Sequence, residues 1–129
     1  MTDEQRQKRN RRVALIAGLV LAAAALIYTA VQFRFYSSRW KADTDYRYRG
    51  RVMQLLTKPD SRLLGMDRDS VVDLLGEPYD GRYSSEVFRG GEPEDFLLYD
   101  CGYDFLYHNW LVVVLEGGRV TRVYIGSTS

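Results

Sequence analysis

The most pronounced feature of the hydrophobic pattern is a charge-free run from Val13 to Val31, nineteen residues that are almost all Ala, Leu, Ile and Val. As a helix such a run extends about 28 Å, close to the hydrocarbon thickness of a bilayer. The pattern predicts a transmembrane helix over residues 13–33. Its flanks fit that reading, with Arg6, Lys8, Arg9, Arg11 and Arg12 before it and Phe33, Phe35, Tyr36 and Trp40 after it. Basic residues and amphipathic rings both favour the headgroup layer, so Arg11, Arg12, Phe33, Phe35, Tyr36 and Trp40 are the expected membrane-interface residues. A cleavable signal peptide is the competing reading, with small residues at Ala22–Ala25. Against it, the apolar run continues through Leu26, Ile27, Thr29, Ala30 and Val31, beyond the length a secretory core needs.

Beyond the apolar run the periodicity changes twice. Val52, Met53, Leu55 and Leu56 stand at helical spacing in an Arg- and Tyr-rich stretch that stops before Pro59, which predicts an amphipathic helix within residues 41–58. A second, two-turn helix is predicted from Asp67. Asp67 serves as N-cap, Asp69 suits the helix dipole, Val71, Val72, Leu74 and Leu75 form the apolar face, and Gly76 and Pro78 end it. Residues 79–95, rich in Gly and charge, read as a loop with one short strand near Tyr83 to Arg89. Strands follow at Phe96 to Tyr103, Trp110 to Glu116 and Arg119 to Ile125, the last two joined through Gly117 and Gly118 as a hairpin. Val120, Val123 and Ile125 cannot share one face under strict alternation, which predicts a bulge or two-sided cover. The unbroken apolar run 111–115 predicts cover on both faces.

The predicted fold class is therefore α+β: one N-terminal transmembrane helix followed by a small domain of two helices packed on a three- to four-stranded antiparallel sheet. The boundaries are a basic N-terminus at 1–12, the transmembrane helix at 13–33, a basic, amphipathic juxtamembrane helix at 34–60 and a soluble domain at 61–129.

Charge refines this picture. The net charge of +1 hides an asymmetry: residues 1–58 hold 12 Lys and Arg against 4 Asp and Glu, a net +8, and the remainder 6 against 13, a net −7. A basic half beside the apolar run fits anionic lipid headgroups rather than nucleic acid. Six basic residues between Arg34 and Arg51 nearly balance the five before the helix. The five are clustered, however, and a long C-terminal domain translocates with little regard to charge. The expected orientation is N-terminus cytoplasmic, C-terminal domain periplasmic, in a bacterial inner membrane.

Little in the sequence points to chemistry. Cys101 is the only cysteine and His108 the only histidine, which excludes an intrachain disulfide and a multi-thiolate metal cluster. Cys101 reads as a small buried residue between Tyr99 and Tyr103. The acidic run Glu92, Glu94 and Asp95 lacks the ligand alternation of a calcium loop, and no phosphate loop or nucleophile elbow occurs. No enzyme activity, catalytic residue, cofactor or metal is expected, and no small-molecule substrate is identified. The aromatic density of Tyr99, Tyr103, Phe105, Tyr107 and Trp110 marks them as interaction candidates, because Tyr and Trp anchor interfaces.

Gly65, Met66, Asp67, Val71, Leu74, Leu75, Gly76 and Pro78, followed by an aromatic strand and the Gly118–Val120 closing hairpin, resemble the SmpA/OmlA (BamE-like) small envelope domains over roughly residues 62–125. The resemblance implies helices on one face of a small antiparallel sheet and work by protein contact, with no catalytic residues. The chain departs from the family in its anchor: the lipid-bearing N-terminal cysteine is replaced by a transmembrane helix with a basic flank. The expected function is a non-catalytic accessory or assembly subunit that binds a larger membrane protein complex through helix and domain. A stand-alone envelope ligand-binding or sensor module is the alternative.

Overall fold

The computed structural model describes residues 2–32 and 34–129 of the chain. It divides into two units, an N-terminal one to Arg34 and a compact domain from Phe35 to Ser129. The first is a single helix, α1 (Asp3–Gln32), long and apolar enough to cross a membrane. Its apolar side chains from Val13 to Tyr28 are exposed.

The domain is α+β, with α2 (Ser37–Ala42), α3 (Arg47–Val52), a 3-10 turn (Met53–Leu56) and α4 (Arg68–Leu75) preceding a three-stranded antiparallel sheet. Its strands are β1 (Phe96–Tyr103), β2 (His108–Glu116) and β3 (Arg119–Thr128), in the order β1-β2-β3. Gly117 and Gly118 both have positive φ (58° and 77°) in the β2–β3 turn, as a primed two-residue hairpin requires.

Both predicted irregularities of the sheet are present. Leu111, Val113 and Leu115 of β2 enter one core with residues of α2, α3 and α4, while Trp110, Val112 and Val114 enter a second core on the opposite face. In β3 the register shifts by one residue where Leu115 pairs with Val120 and Val114 with Arg122. The extra residue resets the alternation, so Val120 and Val123 lie in the helix-side core with Ile125 packed against it.

Residues 35–60 do not form one amphipathic helix. Asp43 accepts the Arg49 backbone N–H (2.9 Å) and Asp45 that of Arg47 (3.2 Å), and Tyr46 sits in the left-handed region at φ 61°. These local side-chain bonds compete with the helical ladder and divide the stretch into α2, α3 and the 3-10 turn. Nor does the stretch stand apart from the domain: Trp40, Tyr48, Val52, Met53 and Leu56 are all core residues, so a boundary at residue 60 falls inside the compact unit. Arg49 ties the pieces together. Its guanidinium donates to the carbonyls of Trp40 and Asp100 (both 3.1 Å) and lies over the rings of Trp40 and Tyr46. Close approach of α3 to β1 depends on Gly102, at φ 80°, where a Cβ would meet that of Tyr46.

α4 forms as predicted, with Asp67 Oδ1 accepting the Ser70 N–H (2.8 Å) and Gly76 at φ 84° ending it. Hydrogen bonding from Ser70, its side chain first and then its backbone N–H, holds the Asp67 carboxyl below the usual aspartate range. Instead of a strand, residues 85–87 form a 3-10 turn within a strap that covers the second sheet face. Val87, Phe88 and Phe96 enter that core. The strap is pinned by Tyr79 N–H to the Leu98 carbonyl (2.7 Å), Leu115 N–H to the Asp95 carbonyl (3.0 Å) and Arg89 N–H to the Tyr124 hydroxyl (3.1 Å).

The seam between strap and sheet generates a test. A Cβ at Gly126 would be driven into the Val87 backbone carbonyl, and backbone yields less than a side-chain tip. Gly126→Ala is expected to destabilise the domain by about 1–3 kcal/mol, in the range of core overpacking. Chemical denaturation of the two proteins side by side measures it.

Candidate interaction tip

Four residues, 104–107, connect β1 to β2 and turn without leaving the hairpin, since Tyr103 pairs with His108 and Asp104 N–H bonds the Tyr107 carbonyl (2.9 Å). The turn is organised by one carboxylate. Asp104 Oδ1 accepts the backbone N–H groups of Leu106 and Tyr107 (2.8 and 2.7 Å), and Oδ2 accepts from the Asn109 side-chain amide (3.0 Å). Asn109 is itself buried, and its Oδ1 accepts from the Ser127 hydroxyl (2.7 Å). With its oxygens occupied inside the turn, Asp104 leaves the apolar side chains outside: Tyr103 is 81% exposed, Phe105 97%, Leu106 67% and Tyr107 46%. Bonds from Asn109 first, then Tyr107 and Leu106, hold the Asp104 carboxyl below the ordinary aspartate value.

The base of the tip is a stack. Tyr103 lies on the His108 ring (centroids 4.2 Å apart, 27° between planes), and His108 lies 4.4 Å from Trp110. His108 Nε2 meets Asp100 Oδ1 at 2.7 Å, and the same oxygen accepts the Gly102 N–H (2.8 Å).

The structure sorts the predicted residues by burial. Tyr103, Phe105 and Tyr107 come together at the exposed tip, joined by Leu106, which the sequence reading passed over because an isolated Leu carries no periodicity. Tyr99 and Trp110 are buried, Tyr99 in the helix-side core with its hydroxyl donating to the Gly76 carbonyl (3.0 Å), Trp110 in the strap-side core against Tyr79. They are packing residues and offer no surface to a partner. Burial also pushes the Tyr99 phenol above its ordinary range.

Of the expected membrane-interface residues, Arg11 and Arg12 are exposed on α1, and Phe33 lies outside the described residues. Tyr36 is at the domain surface, its N–H bonded to the Tyr48 hydroxyl (2.6 Å). Phe35 packs partly buried against the core, 5.9 Å from Trp40. Trp40 is a correction: it is fully buried among Phe35, Tyr99 and the Arg49 guanidinium. A ring enclosed on these sides cannot also lie in a headgroup layer.

Cys101 and His108 are not arranged as a dyad. The Cys101 thiol points into the helix-side core, donates to the Tyr99 carbonyl (3.7 Å) and is pushed up to about 12 by burial, while His108 is engaged by Asp100. No group of three or more His, Cys, Asp and Glu placed to hold a metal ion occurs among the described residues. Beside the tip, a shallow depression of about 360 Å³ is lined by Tyr46, Arg47, Arg51, Tyr103 and Asp104 among others. A second cleft of about 480 Å³, between the strap and the β2–β3 hairpin, is lined by Gly90, Gly91, Glu92, Glu94, Glu116 and Arg122 among others. Comparison with known proteins gives no match: no family model, no curated protein and no solved structure.

Two outcomes follow from these environments. Cys101 is expected to resist alkylation by iodoacetamide at neutral pH in the native protein and to react stoichiometrically once unfolded, because the thiolate is the nucleophile. Rapid native labelling contradicts the described burial. For Asp104, a folded-state pKa below the unfolded one means that its stabilisation of the turn is full above the unfolded value, about 3.9, and lost as pH falls through the lower folded value. The Leu106 and Tyr107 amide resonances, followed by NMR during acidification, are expected to move with a midpoint below 3.9.

Proposed function

We propose that the chain is a single-pass, membrane-anchored, non-catalytic accessory subunit of a larger membrane protein complex. In this reading α1 spans a bacterial inner membrane with its N-terminus in the cytoplasm, and the domain, an SmpA/OmlA-type fold, stands on the periplasmic side. The observation that carries it is the pairing of two unpartnered apolar surfaces in one short chain, the lateral face of α1 and the tip 103–107. In water each is a standing cost of roughly 25 cal/mol per Å² of apolar surface.

The ridge Ala14, Gly18 and Ala22, with four-residue spacing, supports helix–helix contact, since small residues let backbones approach closely. Binding rather than turnover is supported by the different partners of Cys101, on the Tyr99 carbonyl, and His108, on Asp100, and by the raised thiol. The tip is preorganised by Asp104, so little conformational freedom remains to be lost on contact.

Gentle solubilisation of native membranes and recovery of the tagged full-length chain tests the reading. Co-recovery of one complex at fixed stoichiometry is expected. Replacement of Gly18 by Leu is expected to reduce that recovery several-fold without changing the amount of chain in the membrane. Recovery of an isolated monomer under all mild conditions overturns it.

A further inference from the structure

The tip 103–107 rises beside a hollow. Tyr103 and Asp104, at the base of the tip, help to line a depression of about 360 Å³. The part of its lining that belongs to the core is apolar: Met53 and Cys101 are buried there, and Gly50 contributes no side chain. A cavity of about 150 Å³ is enough to hold a benzene ring, so the depression has room for a phenyl group. A projection that ends in an almost wholly exposed Phe105 and a hollow that accepts such a ring thus lie on one surface.

The charges of this surface balance. Across this depression and the one adjoining it, Arg39, Arg47 and Arg51 stand against Asp43, Asp45 and Asp104. A formally neutral surface has no net attraction for an anionic bilayer, for nucleic acid or for a strongly charged protein face, whereas it meets its own copy without net repulsion. Projection and hollow side by side are also what a two-fold contact needs, because the same patch of each copy must both give and receive.

From this juxtaposition we infer that two copies of the chain pair through this surface, the Phe105 ring of each entering the hollow at Gly50 and Met53 of the other. The water-exposed area of Tyr103, Phe105, Leu106 and Tyr107 amounts to roughly 500 Å² per copy, and so to about 1,000 Å² for the pair before the rim of the hollow is counted, the size that a specific interface must clear. Inside the hollow the ring would meet the Met53 thioether and the guanidinium groups of Arg47 and Arg51, both favourable neighbours of an aromatic side chain. The turn needs no reordering, because Asp104 already fixes it. This contact between copies goes beyond the function proposed above: a larger complex would receive the chain as a pair, with α1 left as the surface for other subunits.

The test follows association of the full-length chain in detergent micelles by sedimentation equilibrium over a range of chain-to-micelle ratios. A monomer–dimer equilibrium is expected. Phe105→Asp removes the projection, and Gln54→Trp fills the hollow from an exposed position on its lining. Each is expected to weaken association by roughly ten-fold or more, as loss of a central aromatic anchor does. A mixture of the two variants is expected to recover part of the association, since the intact tip of one meets the intact hollow of the other. Protection of the buried Cys101 thiol from iodoacetamide verifies that both variants keep their core. A chain that stays monomeric at every ratio overturns the inference. So does dimerisation that survives Phe105→Asp or Gln54→Trp, and its loss in Gly18→Leu instead places the contact on α1. Two weakened variants that fail to complement each other overturn the seating of the ring in the hollow and leave the tip to a bilayer or to another protein.

Discussion

Everything in the domain depends on β2 being buried on both faces. A central strand whose side chains alternate Trp110, Val112, Val114 one way and Leu111, Val113, Leu115 the other must be covered twice, and a three-stranded sheet supplies no second sheet to do it. The helices cover one face. The strap 79–95 covers the other with scattered residues, held by backbone hydrogen bonds rather than by regular structure. With so small a core, the domain also draws on residues at its very start, Phe35 and Trp40. That need explains why Trp40 is inside.

Arg49 shows how the helical layer is held to the sheet without an ion pair. Its donors go to carbonyls that end α2 and lie on β1, and its planar face rests on aromatic rings, so charge is stabilised by backbone dipoles and π electrons. Gly102 provides the space for Tyr46 at the same junction. The left-handed turn, the guanidinium staple and the bulge in β1, where its register against β2 shifts between Asp100 and Tyr103, are thus one device for seating a short helix across a strand end.

Those parts of the fold with a local physical signature were readable from the sequence. The three strands, the double-glycine turn, the bulge forced by Val120 and Val123, and α4 between Asp67 and Gly76 all carry their reasons within a few residues. Trp40 and the strap did not. An aromatic residue following an apolar run has the same local signature whether it lies in a headgroup layer or in a core, and only long-range packing decides. The strap's Val87 and Phe88 are too sparse among glycines to show a period. At the tip, aromatic density marked the right neighbourhood, but burial separates Tyr99 and Trp110 from the exposed group, and strand alternation near the β1 bulge hid that division.

The burial of residues at the start of the domain has a mechanical consequence. Because the core begins at Phe35 and Trp40, a force transmitted along the chain from the N-terminal side would load the central packing almost at once, rather than first extending a linker. Stretching and unfolding would then be the same event. A protease acting between residues 36 and 60 would likewise not shed an intact domain but remove part of its core.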